Sequence, residues 1–249
     1  MRVYNEPSNK HRRQRDRLRR EIGTPIHELL VKTNAAVLGG ALTSIFSKRE
    51  IRDFDAYTQR KEDAEELIRL LGKLGLKHVY YTDHATSLRS SDRGARTFQV
   101  ITVPALWGLD FGFNSVLERF DFTICQAGYY PAGDLFLFGE FFFEHLAARQ
   151  LIYNIEGLHP IATLFRVRKY LEKGFSITGV ELIKLGLKIH SLQIPDYRTL
   201  RDEILGVDLI ALKSLTDHLL EPEIADRPFN ADEFFQMLEG PIADEEDEE

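Results

Sequence analysis

A mixed α/β domain followed by a helical one is the architecture the sequence predicts, an α/β (α+β) chain, on three observations. Strand-like runs of period two alternate with amphipathic helical stretches through residues 24–150. From Pro160 onward apolar residues recur at helical spacing only. Finally, 249 residues with 43% hydrophobic content and 17 phenylalanines can bury one substantial core and a second, smaller one.

Residues 1–23 read as a charged N-terminal arm. Lys10–Arg20 holds seven Lys/Arg against one Asp, although the whole chain carries −7. Such an arm can neutralise nucleic-acid phosphates, or it can be a helix with a solvated charged face leading into Ile22. Thr24–Lys32, with Pro25 near its start, predicts a capped amphipathic helix. Strands are expected at Ala35–Leu38 and Asp53–Thr58. A helix follows at Lys61–Leu74, carrying the apolar residues Ala64, Leu67, Ile68, Leu70, Leu71 and Leu74. Further strands are expected at Lys77–Thr82 and Thr97–Val103, with a polar turn over Ala85–Arg96 between them. Phe120, Phe122 and Ile124 alternate with Asp121, Thr123 and Cys125, which predicts a central strand. A strand at Leu135–Phe138 and a helix at Glu140–Arg149 close the domain. The aromatic run Phe136–Phe143 is dense enough to be core rather than a stacking platform. The second domain, 151–240, is expected as helices at Pro160–Gly174, Thr178–Leu187, Tyr197–Leu205, Leu209–Leu220 and Ala231–Leu238. An acidic tail follows at 241–249, its last six residues all Asp or Glu.

Several classes are excluded on composition. No apolar run reaches membrane-spanning length and the N-terminus has no secretory-signal centre, so no membrane partner is expected. The single cysteine, Cys125, excludes an intrachain disulfide and a thiolate zinc cluster, and fits a reducing, cytoplasmic setting. The eight histidines lack metal-ligand spacing.

The chemistry is carried by Leu38-Gly39-Gly40, Asp53-Phe54-Asp55 and Asp121. Paired glycines let the backbone turn sharply and approach an anion without a Cβ in the way. A helix starting near Thr43 and Ser44 would offer N–H groups to a triphosphate. On a strand, Asp53 and Asp55 share one face while Phe54 takes the other. Two adjacent carboxylates repel unless cations lie between them, and the hard ion Mg²⁺, or Mn²⁺, suits oxygen ligands. Asp121 would be a third carboxylate; alternatively it pairs with an arginine such as Arg96 or Arg119.

In these residues the chain resembles the DNA polymerase beta-like nucleotidyltransferase superfamily over roughly residues 24–150. The resemblance implies that Gly39 and Gly40 hold nucleotide phosphates, that Asp53 and Asp55 bind both metal ions, and that Asp121 completes the catalytic metal site. Many members carry serine where Gly40 stands, so Thr43 or Ser44 would supply the missing hydroxyl. His159–Phe175 is similar to the Arg-x-x-Arg helix ending in Gly-Phe of tRNA CCA-adding enzymes and bacterial poly(A) polymerases. There Arg166 and Lys169, the latter in place of arginine, would contact the nucleotide or acceptor. A solvated basic face formed by Arg166, Lys169 and Lys173 is the other reading, with Leu164, Val167 and Leu171 as the apolar stripe.

These readings predict a mixed-sheet nucleotidyltransferase catalytic domain followed by a helical domain, with nucleotide in the cleft between them. The reaction is metal-dependent transfer of a nucleoside monophosphate from a nucleoside triphosphate to an acceptor hydroxyl, an RNA or tRNA end being the preferred acceptor. The rival class is a catalytically inactive nucleic-acid-binding or assembly module on the same fold. Within the strand Phe98-Gln99-Val100, Gln99 would bond either the nucleotide or a neighbouring strand.

Overall fold

The computed structural model describes residues 2–82, 84–92, 96–109, 112–204, 219 and 221–239. The chain divides into two compact units, Met1–Gly157 and Leu158–Glu249.

The first unit is built on eight strands: β1 (Val3–Pro7), β2 (Ala36–Leu38), β3 (Asp53–Tyr57), β4 (Lys77–Thr82), β5 (Ala85–Arg89), β6 (Thr97–Ile101), β7 (Ala127–Tyr130) and β8 (Leu135–Gly139). They form one sheet in the order β1-β8-β7-β2-β3-β6-β5-β4. Every neighbouring pair is antiparallel except β3 and β6, so the sheet is mixed as expected. Its helices are α1 (Arg12–Ile22), α2 (Thr24–Lys32), α3 (Gly40–Phe46), α4 (Lys61–Lys73), α5 (Phe113–Leu117) and α6 (Phe142–Ala148). Helix α4 packs on β5 and β6 and buries Ala64, Leu67 and Leu71 of the expected apolar set, while Ile68 and Leu70 are half-buried and Leu74 is exposed. Phe54 and Phe98 stack with centroids 4.8 Å apart on adjacent strands and are buried with Ala56, Val100 and Leu88.

Four expectations are corrected. Residues 3–22 are not an arm: β1 pairs with β8 along its whole length, and α1 buries Leu18 and Ile22. The basic run is tied into the fold. The Arg19 guanidinium donates Nε–H to the Tyr129 hydroxyl at 2.8 Å and Nη2–H to Asp134 Oδ1 at 2.7 Å. Ser8 also donates to that Asp134 oxygen at 2.6 Å, and Tyr129 donates to it at 3.1 Å. Burial pushes the Asp134 carboxyl up, but Ser8, Arg19, Tyr129 and Arg15 together hold it below the ordinary carboxylate value. Tyr129 is pushed up to about 12 by burial, Arg19 opposing. A run of cations was legible in the sequence, whereas its fixed anionic partner, 114 or more residues away, was not.

The second correction is that Ala85–Arg89 is strand rather than turn, because Thr86, Ser87 and Leu88 are buried between β4 and β6. Third, Asp121 is not strand-borne. Phe122 makes an isolated bridge with Tyr153, and Thr123–Cys125 is one turn of 3-10 helix. The β-favouring composition lost to local capping, with Cys125 N–H bonding Phe122 O at 2.9 Å and Gln126 N–H bonding Thr123 O at 3.1 Å. The strand of this region is instead β7, which begins two residues later. Fourth, α6 starts at Phe142 rather than Glu140. The aromatic run is core: Phe136, Phe138 and Phe142 are fully buried and pack with Phe46, Phe143 and His11.

The second unit contains α7 (Pro160–Glu172), α8 (Gly179–His190), α9 (Tyr197–Ile204) and helices at Pro222–Ala225 and Ala231–Glu239. Its core joins Ala162, Tyr197, Leu200, Ile204, Leu219 and Ile224, with Phe229 and Phe234 against them. The helix expected at Leu209–Leu220 lies almost entirely outside the described residues, and the acidic tail lies wholly outside them. Among the described residues no helix is long and apolar enough to cross a membrane.

Candidate nucleotide site

The turn between β2 and α3 is set by Gly39, whose φ of +84° and ψ of −134° are open to glycine alone among the residue types. Gly39 N–H bonds Ala127 O at 2.8 Å, which pins the turn to β7, and Gly40 opens α3. A Cβ placed on Gly39 would meet the Phe120 ring at 3.6 Å and Asp55 Oδ2 at 4.0 Å. The glycine backbone and the Asp55 carboxylate are therefore neighbours. The antiparallel register of β2 and β3 produces this by setting Leu38 opposite Asp55.

The period-two reading of β3 holds: Phe54 and Ala56 are buried, while Asp53, Asp55 and Tyr57 are half-buried on the other face. That face continues into β6, where Thr97 and Gln99 are also half-buried, opposite Asp53 and Asp55 respectively. It continues into β5 through Arg89 and Ser87, the register partners of Thr97 and Gln99.

Other expected residues are placed differently. Helix α3 begins at Gly40, so Thr43 and Ser44 lie inside it rather than at its start, and both are buried. The Thr43 hydroxyl donates to Ile124 O at 2.6 Å, a bond that fastens α3 to the 3-10 turn. Asp121 is 2% exposed, and its Oδ1 accepts from the Phe122 N–H at 2.9 Å. Of the two arginines foreseen as its partner, Arg96 reaches Glu21 and donates to Ile51 O. Among the described residues no three or more His, Cys, Asp or Glu side chains are grouped to hold a metal ion. The two carboxylates of β3 fit a hard divalent cation in donor chemistry.

Two residues at this corner had no expectation attached. Phe120 lays its ring over Gly39 and meets Tyr57 edge-on, with centroids 5.9 Å apart. Asn154 holds the segment carrying it by donating to Glu118 O at 2.6 Å and Phe120 O at 2.9 Å. Phe120 stood next to a residue already singled out, whereas no local pattern marks Asn154.

In the second unit, α7 buries Ala162, Thr163, Val167 and Tyr170. Of the expected stripe only Val167 is inside; Leu164 and Leu171 are each 46% exposed. The large Tyr170 ring takes the core position instead. Lys169 is exposed and Arg166 half-buried. Lys173 lies over the Tyr170 ring at 5.2 Å, and Arg168 pairs with Glu172 at 3.2 Å.

Residues 8–149, more than half of the chain, match the model of the Gabija anti-defense 2 protein family. A curated relative, Gabija anti-defense 2 of Bacillus phage SPbetaL7, is 29% identical over 233 residues, 94% of this chain and 55% of that protein. The chain thus spans about half the length of that relative. Among solved structures, a CCA-adding enzyme in complex with CTP matches with a TM-score of 0.56 at 17% identity, covering 96% of this chain and 59% of that one. The Thermotoga maritima CCA-adding enzyme complexed with tRNA matches with a TM-score of 0.53 at 16% identity, covering 97% and 62%. The fold is that of the CCA-adding nucleotidyltransferases, and the chain belongs to the Gabija anti-defense 2 family.

Proposed function

We propose that this chain counters Gabija defense as a nucleotidyltransferase, moving a nucleoside monophosphate from a nucleoside triphosphate to an acceptor hydroxyl. The observation that carries the reading is the register that sets Asp55 opposite Leu38, beside the Gly39 turn, in a fold shared with CCA-adding enzymes. The Gly39-Gly40 backbone takes the phosphates, where no Cβ holds them off. Asp53 and Asp55 face the same space from β3. A divalent cation carried in with the triphosphate would supply charge neutralisation between those carboxylates and the phosphate oxygens. The acceptor oxygen bonds to the α-phosphorus, the α–β phosphoanhydride bond breaks, pyrophosphate leaves, and the hydroxyl proton passes to water. Orientation and electrostatics carry the rate, since the chain needs no covalent intermediate. Arg166 and Lys169 of α7 are the cations assigned to the nucleotide or to the acceptor backbone. The preferred acceptor is an RNA end, tRNA included, in a reducing cytoplasm.

Purified chain incubated with Mg²⁺, each labelled triphosphate in turn, and total RNA or host protein should label one acceptor. Asp53→Asn with Asp55→Asn should abolish the product. Absence of label in every arm would overturn the reading.

A second reading is favoured by one observation: among the described residues no three or more His, Cys, Asp or Glu side chains are grouped to hold a metal ion. On that reading the same corner holds a nucleotide without turnover, and the chain acts as a binding or assembly module. Saturable triphosphate binding with no labelled product would select it.

A further inference from the structure

Helix α1 and the loop that joins α3 to β3 are tied together. Arg17 donates Nη2–H to Arg49 O at 2.5 Å, and Arg96, which pairs with Glu21, donates Nε–H to Ile51 O at 2.9 Å. The loop, residues 47–52, is thereby held against the C-terminal half of the helix. The inner side of α1 is set by His11, just before its first turn and packed among Phe46, Phe136 and Phe138, and by the buried Leu18 and Ile22. At 3.6 residues per turn the opposite side is Arg13, Arg17 and Arg20, of which Arg13 and Arg20 are exposed and Arg17 half-buried. The loop adds Lys48 and Arg52, both exposed, and the half-buried Arg49. The carboxylates of the helix and loop are Glu21, 3.8 Å from Arg17 and paired with Arg96, the exposed Glu50, and Asp16, which is engaged by Arg12 at 3.6 Å and Arg15 at 2.8 Å. Cations outnumber carboxylates on this surface although the chain as a whole carries −7. Like charges gathered in this way repel one another and build a positive potential that a polyanion relieves.

We infer that the outer side of α1 and the loop at 47–52 form a surface for the phosphate backbone of duplex RNA, with Arg13, Arg20, Lys48 and Arg52 as the contacting cations. Residues 12–22 and 47–52 contain no Phe, Tyr or Trp. The surface therefore gains from phosphate charge and not from base stacking, which favours a duplex over a single strand and gives no sequence preference. Arg17 and Arg96 fix the loop to the helix and to Glu21. The loop leads directly into Asp53, the first residue of β3, so the surface adjoins the strand that carries the two aspartates. The choice of RNA over DNA rests on the reading given under Proposed function, in which an RNA end is the acceptor.

The test uses the whole chain and a fluorescent blunt-ended RNA duplex of arbitrary sequence, followed by anisotropy in EDTA without triphosphate, so that no turnover is required. Wild-type affinity should fall about a hundredfold between about 50 and 200 mM salt, as four phosphate contacts require. Arg13→Gln with Arg20→Gln should weaken binding about tenfold or more at the lower salt and reduce the salt slope by about two. Lys61→Gln with Arg69→Gln removes the same charge from exposed positions of α4 and should change neither. Should the first pair lower the melting temperature, Lys48→Gln with Arg52→Gln decides, with the same loss expected. An equal loss in the α4 variant, or no loss in either variant of the surface, would overturn the surface. Equal or tighter binding of a DNA duplex, or of the single RNA strand, would overturn the assignment to duplex RNA. Asp53→Asn with Asp55→Asn should bind the duplex as wild type does, so failure to incorporate nucleotide beside intact duplex binding would sink the proposed function and leave this surface standing.

Discussion

Two regions of one sheet use charge in different ways. At the β1-β8-β7 end, Arg19, Tyr129, Ser8 and Asp134 satisfy one another through four hydrogen bonds of 2.6–3.1 Å, and the charged groups serve to hold β1 and α1 on the sheet. At the inner strands β3 and β6, two carboxylates share a half-buried face that continues through Thr97 and Gln99 to Ser87 and Arg89 of β5. Like charges placed side by side cost stability, whereas a closed network of opposite charge and hydrogen bonds restores it.

The comparison makes predictions of graded size. The largest concerns the β3 face: Asp53→Asn with Asp55→Asn should lower nucleotide incorporation about 10²-fold or more, while the melting temperature stays within about 2 °C of wild type. A large loss of melting temperature would move the pair into the structural class. Gly39→Val comes next. A β-branched residue at φ +84° costs about 1–3 kcal/mol, so both melting temperature and nucleotide binding should fall. In the other region, Tyr129→Phe removes the hydroxyl that joins Arg19 to Asp134 and should cost about 1–3 kcal/mol in urea unfolding, with nucleotide binding unchanged. A loss of binding in that variant would break the separation of the two regions.

The network also has a pH signature. Tyr129 has a folded value raised from 10.0 to about 12, so its contribution is complete below pH 10 and fades as pH rises through 12. Asp134 is lowered in the fold, so its contribution is present above the ordinary aspartate value and fades as pH falls through its folded one. His27, 3.3 Å from the Tyr129 hydroxyl, is lowered by burial and then by Arg19, so it favours the neutral form. Unfolding free energy followed across alkaline pH should decline for wild type, and more shallowly for Tyr129→Phe. The smallest effect belongs to neither region: Arg168→Ala breaks an exposed i,i+4 pair with Glu172 and should change stability by about 0.5 kcal/mol or less.

Much of the site was legible where the signal was local. The glycine pair, the Asp-x-Asp alternation and helices Thr24–Lys32 and Pro160–Glu172 follow from periodicity and backbone preference, and they stand within a residue or two of expectation. Asp121 was misplaced because Phe-x-Phe-x-Ile alternation has the same composition in a strand as in a buried bridge followed by a 3-10 turn. The basic run was read as an arm because nothing near it in the chain announces Asp134 or β8. Gln99 was noticed, but its position opposite Asp55 depends on a parallel pairing across 44 residues of chain.

By itself the sequence determined the alternation of strands and helices, the sharp turn at Gly39 and the common face of Asp53 and Asp55, since these follow from steric preference and from periods of two and 3.6 residues. Only the tertiary structure decided which strand lies beside which. It thereby set Gln99 opposite Asp55, and Asp134 against Arg19. Pairing between distant segments is chosen by burial of whole faces at once, a collective quantity that no short stretch of chain carries.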